Sequence, residues 1–517
     1  MSPIISVFEH QQLTARDFSV ASDFDWLIEQ DFEVFGLRRQ QGQWCLTVRQ
    51  YLGVVRLPSG ILLEILPKIA KPTNKTLNKP LDKQEGEAAQ LQRTRVWVQQ
   101  MLRDINEHDS AKLKTKHFEQ LSEQLGSSFT AAPSLSEWLL NEFITLMIGY
   151  LPLRQYEQET QNNACLQGKL LIKKQLQHNA HQPHRFFSES SQFTQSLISN
   201  RFIKQAWQQL LALVLGQDHS YRLPDSSQSP SSQYSSLALA KGDTPHRYGY
   251  SSPNLHLVSE QWRAIDILSN IEWQRLDTSY TQAQAEVRAA PVSFRQKQKG
   301  IRLLAFAHWL LSVSTVTQSA GVGIEERQPF RGHTRAASLQ LSLFINMNHA
   351  FERWVETTLR REIAEQAPSY QVAAQLPRVW LVDDTGQPCV TTITDLLLSY
   401  NNQPRLVIDV KWKSIHSSRD ISAGDAYQLA AYAQAYGVRK VWLVYPYVGS
   451  NESAAAHAHQ ATASQRAPVR LKPNLNNTVH NSADNGACAD FEIWLIPFDV
   501  TLGRIATPDQ KKDDKIF

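Results

Sequence analysis

The sequence predicts a mixed α/β, multidomain (α+β) protein with a β-rich start, a mostly helical middle and an α/β unit at its C-terminal end. Three observations carry this expectation. The 517 residues exceed what one hydrophobic core usually organises, so two or three domains are expected. A hydrophobic fraction of 42% is that of a soluble globular chain. The apolar pattern also changes along the chain, from strand runs to a helical period and then to alternating helices and strands. The expected divisions are 1–150, 151–335 and 340–517.

In chain order, Trp44 to Leu57 and Gly60 to Pro67 are apolar, β-branched runs framing the turn Pro58-Ser59-Gly60. From about Val96 to Ala307 helical spacing dominates, notably over Trp138 to Met147 and Phe202 to Leu213. Three polar stretches interrupt the pattern: Lys71 to Gln92, Gln217 to Pro253 and Gly449 to Asp490. Their composition offers too little apolar surface to offset the entropy of ordering, so all three are read as insertions. The last separates two strand patterns, Lys440 to Pro446 and Phe491 to Phe498, so the C-terminal fold is expected to continue beyond it. Leu303 to Val316, the most apolar stretch, is too short for a bilayer and contains His308; a buried helix is expected and no membrane contact.

The chemistry concentrates in the C-terminal unit. In the strand pattern Arg405 to Lys413, side chains alternate, so Leu406, Ile408, Val410 and Trp412 form one face while Asp409 and Lys411 share the other. Upstream, Thr391 to Tyr400 is a second strand pattern containing Asp395, joined to the first through Asn401 to Pro404 as a hairpin. Antiparallel pairing would bring Asp395 beside Asp409. Two carboxylates and a lysine on one surface suit a hard divalent cation and a phosphate: Mg²⁺ takes oxygen ligands, keeps waters, and activates water at a phosphodiester. An isolated Asp-x-Lys is more often an exposed ion-paired strand face. The tail alone supplies two more, Asp509-Gln510-Lys511 and Asp513-Asp514-Lys515, in a polar run without strand pattern.

The flanks add the specificity that the tripeptide lacks. Leu343 to Arg360 reads as a helix, with Phe351, Trp354, Val355 and Leu359 on one stripe and Glu352 among them. Asp425 to Tyr436 is an alanine-rich helix stopped by Gly437, and Gln428 and Tyr432, four apart, share a face. Asp395, Asp409 and Lys411 resemble the PD-(D/E)xK nuclease signature, with Thr394 where a proline is usual. The order of helices and strands is similar to the αβββαβ core of its RecB-like branch. That resemblance implies metal ligation by Asp395 and Asp409 with Glu352 assisting, a water-positioning or charge role for Lys411, and catalytic-site roles for Gln428 and Tyr432.

A wider resemblance covers most of the chain. Tyr51-Leu52-Gly53, Leu63 to Lys68, Leu166 to Leu170, Asn200 to Lys204 and Phe351-Glu352, followed by the nuclease motif, are similar to the ordered landmarks of the McrC family. This implies the nuclease subunit of a GTP-driven, McrBC-type restriction complex acting on double-stranded, modified DNA. It implies Mg²⁺ in this chain, and GTP bound by an McrB-like AAA+ GTPase partner that the chain stimulates through its N-terminal region. The reading from another class is a non-cutting adaptor that activates the motor and uses its nuclease fold only to bind DNA; the intact acids and lysine argue against it.

Other features mark boundaries. Net charge +4 and pI near 8.7 permit nucleic-acid contact without demanding it. Cys45, Cys165, Cys389 and Cys488 form no CxxC pair, which excludes a disulfide framework and an iron–sulfur cluster and suits a reducing cytoplasm, as does the lack of a secretion signal. Gly168-Lys169 lacks the earlier glycine and following Ser or Thr of a Walker A loop, so no nucleotide motor is expected here. His457 and His459 stand in an alanine-rich run without partner ligands and read as linker.

Overall fold

A computed structural model describes residues 3–69, 80–107, 132–215, 252–317, 340–448, 468–472 and 491–505. His457, His459, Cys488, both tail Asp-x-Lys tripeptides and nearly all of the 217–253 stretch lie outside these residues.

The N-terminal region contains β1 (Ile4–Phe8), β2 (Gln12–Leu13), α1 (Ala21–Glu29), β3 (Phe35–Gln40), β4 (Gln43–Val48), β5 (Tyr51–Arg56) and β6 (Leu62–Leu66). Strands β2, β4 and β3 form a small sheet, and β1, β6 and β5 form part of a larger one. Between them lies a core that includes Phe24, Leu27, Phe35, Val48 and Leu63. The Pro58 to Gly60 turn closes with Gly60 at φ +87°, a conformation costly for a residue with a Cβ. Helix α2 (Pro80–Glu107) begins inside the polar Lys71 to Gln92 stretch, so the insertion expected there is helical from Pro80 onward. Its apolar face, with Trp97, Val98, Met101 and Leu102 buried, supplies the burial that the polar composition concealed.

The middle region is α3 (Leu135–Ile148), β7 (Gln155–Asn163), β8 (Lys169–Leu170), α4 (Ile172–His178), β9 (Phe186–Thr194), α5 (Ile198–Leu215), α6 (Ser252–Gln261), α7 (Asn270–Gln274), α8 (Leu276–Ala289) and α9 (Phe294–Val313). Helix α3 starts with a capping box, Ser134 and Glu137 satisfying each other's backbone donors. The helical pattern expected to dominate from about Val96 to Ala307 is broken by strands between residues 155 and 194. There β7, β9 and β8 form an antiparallel sheet of largely polar residues that gives almost no apolar alternation to read. The apolar run predicted as helix to Val316 ends at Val313 and continues as β10 (Ser314–Thr317).

The C-terminal region is β11 (Gln340–Asn346), α10 (Met347–Gln366), β12 (Tyr370–Val382), β13 (Pro388–Tyr400), β14 (Gln403–Val410), α11 (Ala423–Tyr436), β15 (Lys440–Tyr447), β16 (Val469–Leu471), β17 (Glu492–Asp499) and β18 (Arg504–Ile505). The predicted helix from Leu343 is a strand up to Asn346, which then caps α10 by accepting from the Asn348 N–H. Strand β11 completes the N-terminal sheet in the order β1-β6-β5-β11-β10, pairing Phe344 with Gly53. A Cβ at Gly53 would strike the Leu343 carbonyl oxygen, which is why this position tolerates no side chain. The remaining strands form a seven-stranded sheet, β12-β13-β14-β15-β17-β16 with β18 on β17. Strand β16 lies within the stretch read as insertion from Gly449 to Asp490, so that stretch contributes a paired edge strand.

One core joins the three regions. Leu52 and Leu62 from the first, Phe143 and Phe202 from the second, and Trp354, Ile408, Trp412 and Phe498 from the third belong to a single buried cluster. On the opposite face of the seven-stranded sheet, Leu397, Val407, Leu443 and Leu495 pack with Leu429, Tyr432 and Tyr436 of α11. The sheet is therefore covered on both sides, with α10 on one and α11 on the other.

Candidate active site

The hairpin expected from Asn401 forms, with Asn401 and Asn402 both at positive φ, as a tight β13–β14 connection requires. Strand pairing runs to Leu396 opposite Ile408. One step further, Asp395 and Asp409 face each other where the ladder stops. There the Asp395 carboxylate replaces the missing strand partner, its Oδ2 accepting from the Val410 N–H at 2.7 Å. Thr394 is fully buried and its hydroxyl donates to the Leu396 carbonyl at 3.1 Å, so the residue in the proline position is locked by its own backbone.

Asp409 is fully buried. The Lys411 ammonium donates to its Oδ1 at 3.1 Å, while Oδ2 is enclosed without any hydrogen-bond partner. Burial first, and the Asp395 charge second, push the Asp409 carboxyl up to about 6. Asp395 is raised too, by burial, against the hydrogen bond from Val410 and the charge of Lys411. Burial opposes the Lys411 ammonium, yet attraction by Asp409 and Asp395 outweighs it and the group is raised.

Glu352 reaches the site from α10. Burial and the Asp395 charge raise its carboxyl; Gln375 Nε2 donates to its Oε1 at 3.3 Å, and His349 Nδ1 lies 3.9 Å from its Oε2. Neither Gln375 nor His349 was expected from sequence: His349 stands one helical turn before Glu352, a spacing that could have revealed it. Gln428 and Tyr432 do come together, Gln428 Nε2 donating to the Tyr432 hydroxyl at 2.6 Å. That hydroxyl donates onward to the Ile393 carbonyl at 2.8 Å, so the pair ties α11 to β13 two residues before Asp395. Burial, then the Asp409 charge, push the Tyr432 phenol up to about 12.

Strand β14 ends at Val410, short of the expected Lys413, and the segment that follows it is held from afar. Trp412 Nε1 donates to both carboxylate oxygens of Glu9, at 3.1 and 3.2 Å, and Glu9 also accepts from the Lys68 N–H. The Trp412 ring packs on Trp97 of α2 and Phe351 of α10. Lys413 forms an ion pair with Asp425 in the first turn of α11.

The orphaned Asp409 Oδ2 tests whether a cation suits the site, because an enclosed carboxylate oxygen without a partner is costly and a bound cation or water would satisfy it. Among the described residues no group of three or more histidines, cysteines or acids is placed to hold a metal ion, so Glu352, Asp395 and Asp409 do not converge as a three-ligand set. Mg²⁺ does not need one: it is usually held by one or two carboxylates, with waters and substrate phosphate completing the shell. Asp395 and Asp409 fit that mode, with Glu352 on the approach.

These features define a multidomain α/β protein whose N-terminal and C-terminal regions share one core, with buried Asp409, half-buried Asp395 and Lys411 brought together at the end of a strand ladder. The family model for the McrBC 5-methylcytosine restriction system component matches residues 46–236 and 312–446, more than half of the chain, and the chain belongs to that family. Among solved structures it is similar to a chain of the refined half-complex from the tetradecameric assembly of Thermococcus gammatolerans McrB AAA+ hexamers with bound McrC. That match has 15% identity and a TM-score of 0.51, covering 96% of this chain and 95% of the other, and it is a likeness of fold. The cryo-EM structure of the Thermococcus gammatolerans McrBC complex matches with 16% identity and a TM-score of 0.35, over 70% of this chain and 88% of the other. No curated protein matches the chain. Among the described residues no helix is long and apolar enough to cross a membrane.

Proposed function

We propose that this chain is the cutting subunit of its restriction system: a Mg²⁺-dependent endodeoxyribonuclease that works with, and stimulates, an McrB-like AAA+ GTPase on modified double-stranded DNA. The observation that carries the reading is the orphaned Oδ2 of buried Asp409, beside Asp395 and in the company of Lys411. A bound Mg²⁺ would polarise the phosphodiester and lower the pKa of water. Asp395 and Asp409 would hold that ion, the first fixed by the Val410 N–H and the second by Lys411. Lys411 presents its ammonium where a phosphate oxygen or an attacking water can meet it. Glu352 would approach that ion from α10, while Gln428 and Tyr432 fix the strand that carries Asp395. The motor partner is supported by the family membership and by a solved relative of this fold, McrC bound to McrB hexamers.

GTP turnover by the partner separates this reading from the non-cutting adaptor when paired with a cleavage assay. Wild-type chain should raise turnover and cut DNA, whereas Asp409→Ala should raise turnover and leave DNA intact. Wild-type chain that stimulates GTP hydrolysis without cutting DNA would establish the adaptor; no stimulation would remove the motor partnership.

A further inference from the structure

Gln375 sits in a backbone conformation that its side chain disfavours, at φ +49° in the middle of β12. A left-handed conformation is costly for any residue with a Cβ, and Gln is not among those that adopt it readily. The ladder to β13 gains no extra residue here. Ala374 pairs with Leu396 and Leu376 with Thr394, so the register passes Gln375 directly opposite Asp395. The strained residue therefore lies in the same cross-strand row as the acid pair.

Alternation makes the geometry more telling. Val372 and Ala374 pack on the shared core, the side that α10 covers. A regular strand would send the next side chain to the other face, away from α10. Instead the Gln375 amide meets Glu352 of α10, Nε2 donating to Oε1 at 3.3 Å. The left-handed turn at one residue is what interrupts the alternation. Strain retained at one position beside a site commonly has a functional return.

We propose that Gln375 is a positioning residue of the cleavage site, its strained backbone turning the side-chain amide onto Glu352 so that this carboxylate stays aimed at the Asp395–Asp409 pair. This rests on the metal-dependent nuclease reading. It makes a prediction that ordinary structural importance does not: removing the side chain should make the fold more stable and the site worse. Gln375→Gly relieves the left-handed strain and deletes the amide together.

The test uses the full-length chain, with Mn²⁺ as the probe ion followed by electron paramagnetic resonance, and melting temperature measured on the same samples. Gln375→Gly should melt higher by roughly 1–3 °C and bind Mn²⁺ roughly tenfold more weakly, a loss in the range seen for residues that orient metal ligands. Glu352→Gln should weaken binding similarly, and the Gln375→Gly/Glu352→Gln double variant should be no weaker than Glu352→Gln alone, because both act through one carboxylate. Wild-type affinity in Gln375→Gly, or a lowered melting temperature accompanying the loss, or fully additive losses in the double variant, would each overturn the proposal. Mn²⁺ binding by the wild type that survives Asp409→Ala would instead overturn the metal reading, and the proposal with it.

Discussion

Two buried acids, one in the N-terminal sheet and one in the C-terminal sheet, are handled in opposite ways. Glu64, in the N-terminal sheet, is 1% exposed, and Asp409, in the C-terminal sheet, is 0% exposed. Both of Glu64's oxygens are in use: Oε2 accepts from Arg95 at 2.6 Å and from Ser6 at 2.7 Å, and Oε1 accepts from the Leu135 N–H at 2.7 Å. Asp409 spends one oxygen on Lys411 and leaves the other with nothing. Equal burial with unequal satisfaction sets an acid that fastens helix α3 and Arg95 of α2 onto a sheet apart from one that, in the proposed reading, is kept for a ligand. Glu9 and Asp104 extend the first pattern, each accepting from a tryptophan of the C-terminal region, Trp412 and Trp354 respectively.

Glu64→Ala should show the largest stability loss, about 3–5 kcal/mol, because it strands the Arg95 charge in a buried site. Chemical denaturation of the purified chain measures it, and a loss below about 1 kcal/mol would erase the distinction between the two acids. Trp412→Phe should cost about 1–3 kcal/mol by leaving the Glu9 carboxylate short of a donor. It should also lower DNA cleavage in the assembled complex, since the indole anchors the strand just past Lys411. Unchanged cleavage would show that the anchor serves folding alone.

The pH dependence of stability follows from the same satisfied acids. Burial is the leading influence at both Glu9 and Asp104, and both carboxyls are raised. An acid with a raised folded pKa contributes stability that is present below its unfolded value and lost as pH rises through the folded one. Glu9→Gln/Asp104→Asn should therefore lose less stability than wild type as pH climbs from the ordinary carboxylate range towards neutrality. Parallel curves from denaturant titrations at several pH values would contradict this. Replacing residues 450–466 by a short Gly/Ser linker while keeping β16 should have the smallest effect, about 1 kcal/mol or less, measured as retained melting temperature and cleavage.

The acid pair and lysine were legible in the sequence because they sit along one hairpin, although its loop is only Asn401-Asn402, and Gln403 and Pro404, read as part of the connection, already pair in β14. The helix bearing Glu352 was legible from its apolar stripe, and the one bearing Gln428 and Tyr432 from its alanine content and terminal Gly437. The anchors were not: Glu9 meets Trp412 across 403 positions, and no local pattern reports such a contact. Strand β11 reads as part of a helix because Leu343 to Asn346 runs straight into α10, and its partner β5 lies far upstream. The β7–β9 ribbon stayed hidden because polar strands carry no alternation. Several landmarks of the family resemblance prove structural: Gly53 admits β11, and Asn200 ties both backbone groups of Leu153. Gln375 was invisible for a different reason, since a positive φ at a non-glycine residue leaves no compositional trace.

Cleavage at this site, as proposed, requires Asp409 to be a ligand-holding acid and not a core ion pair. The most direct measurement is cleavage of modified DNA by the full-length chain with its proposed AAA+ partner, GTP and Mg²⁺, comparing wild type with Asp409→Ala at matched melting temperature. The account predicts a loss of roughly a thousandfold or more, with the variant still folded. A folded Asp409→Ala protein that cuts at the wild-type rate would contradict it.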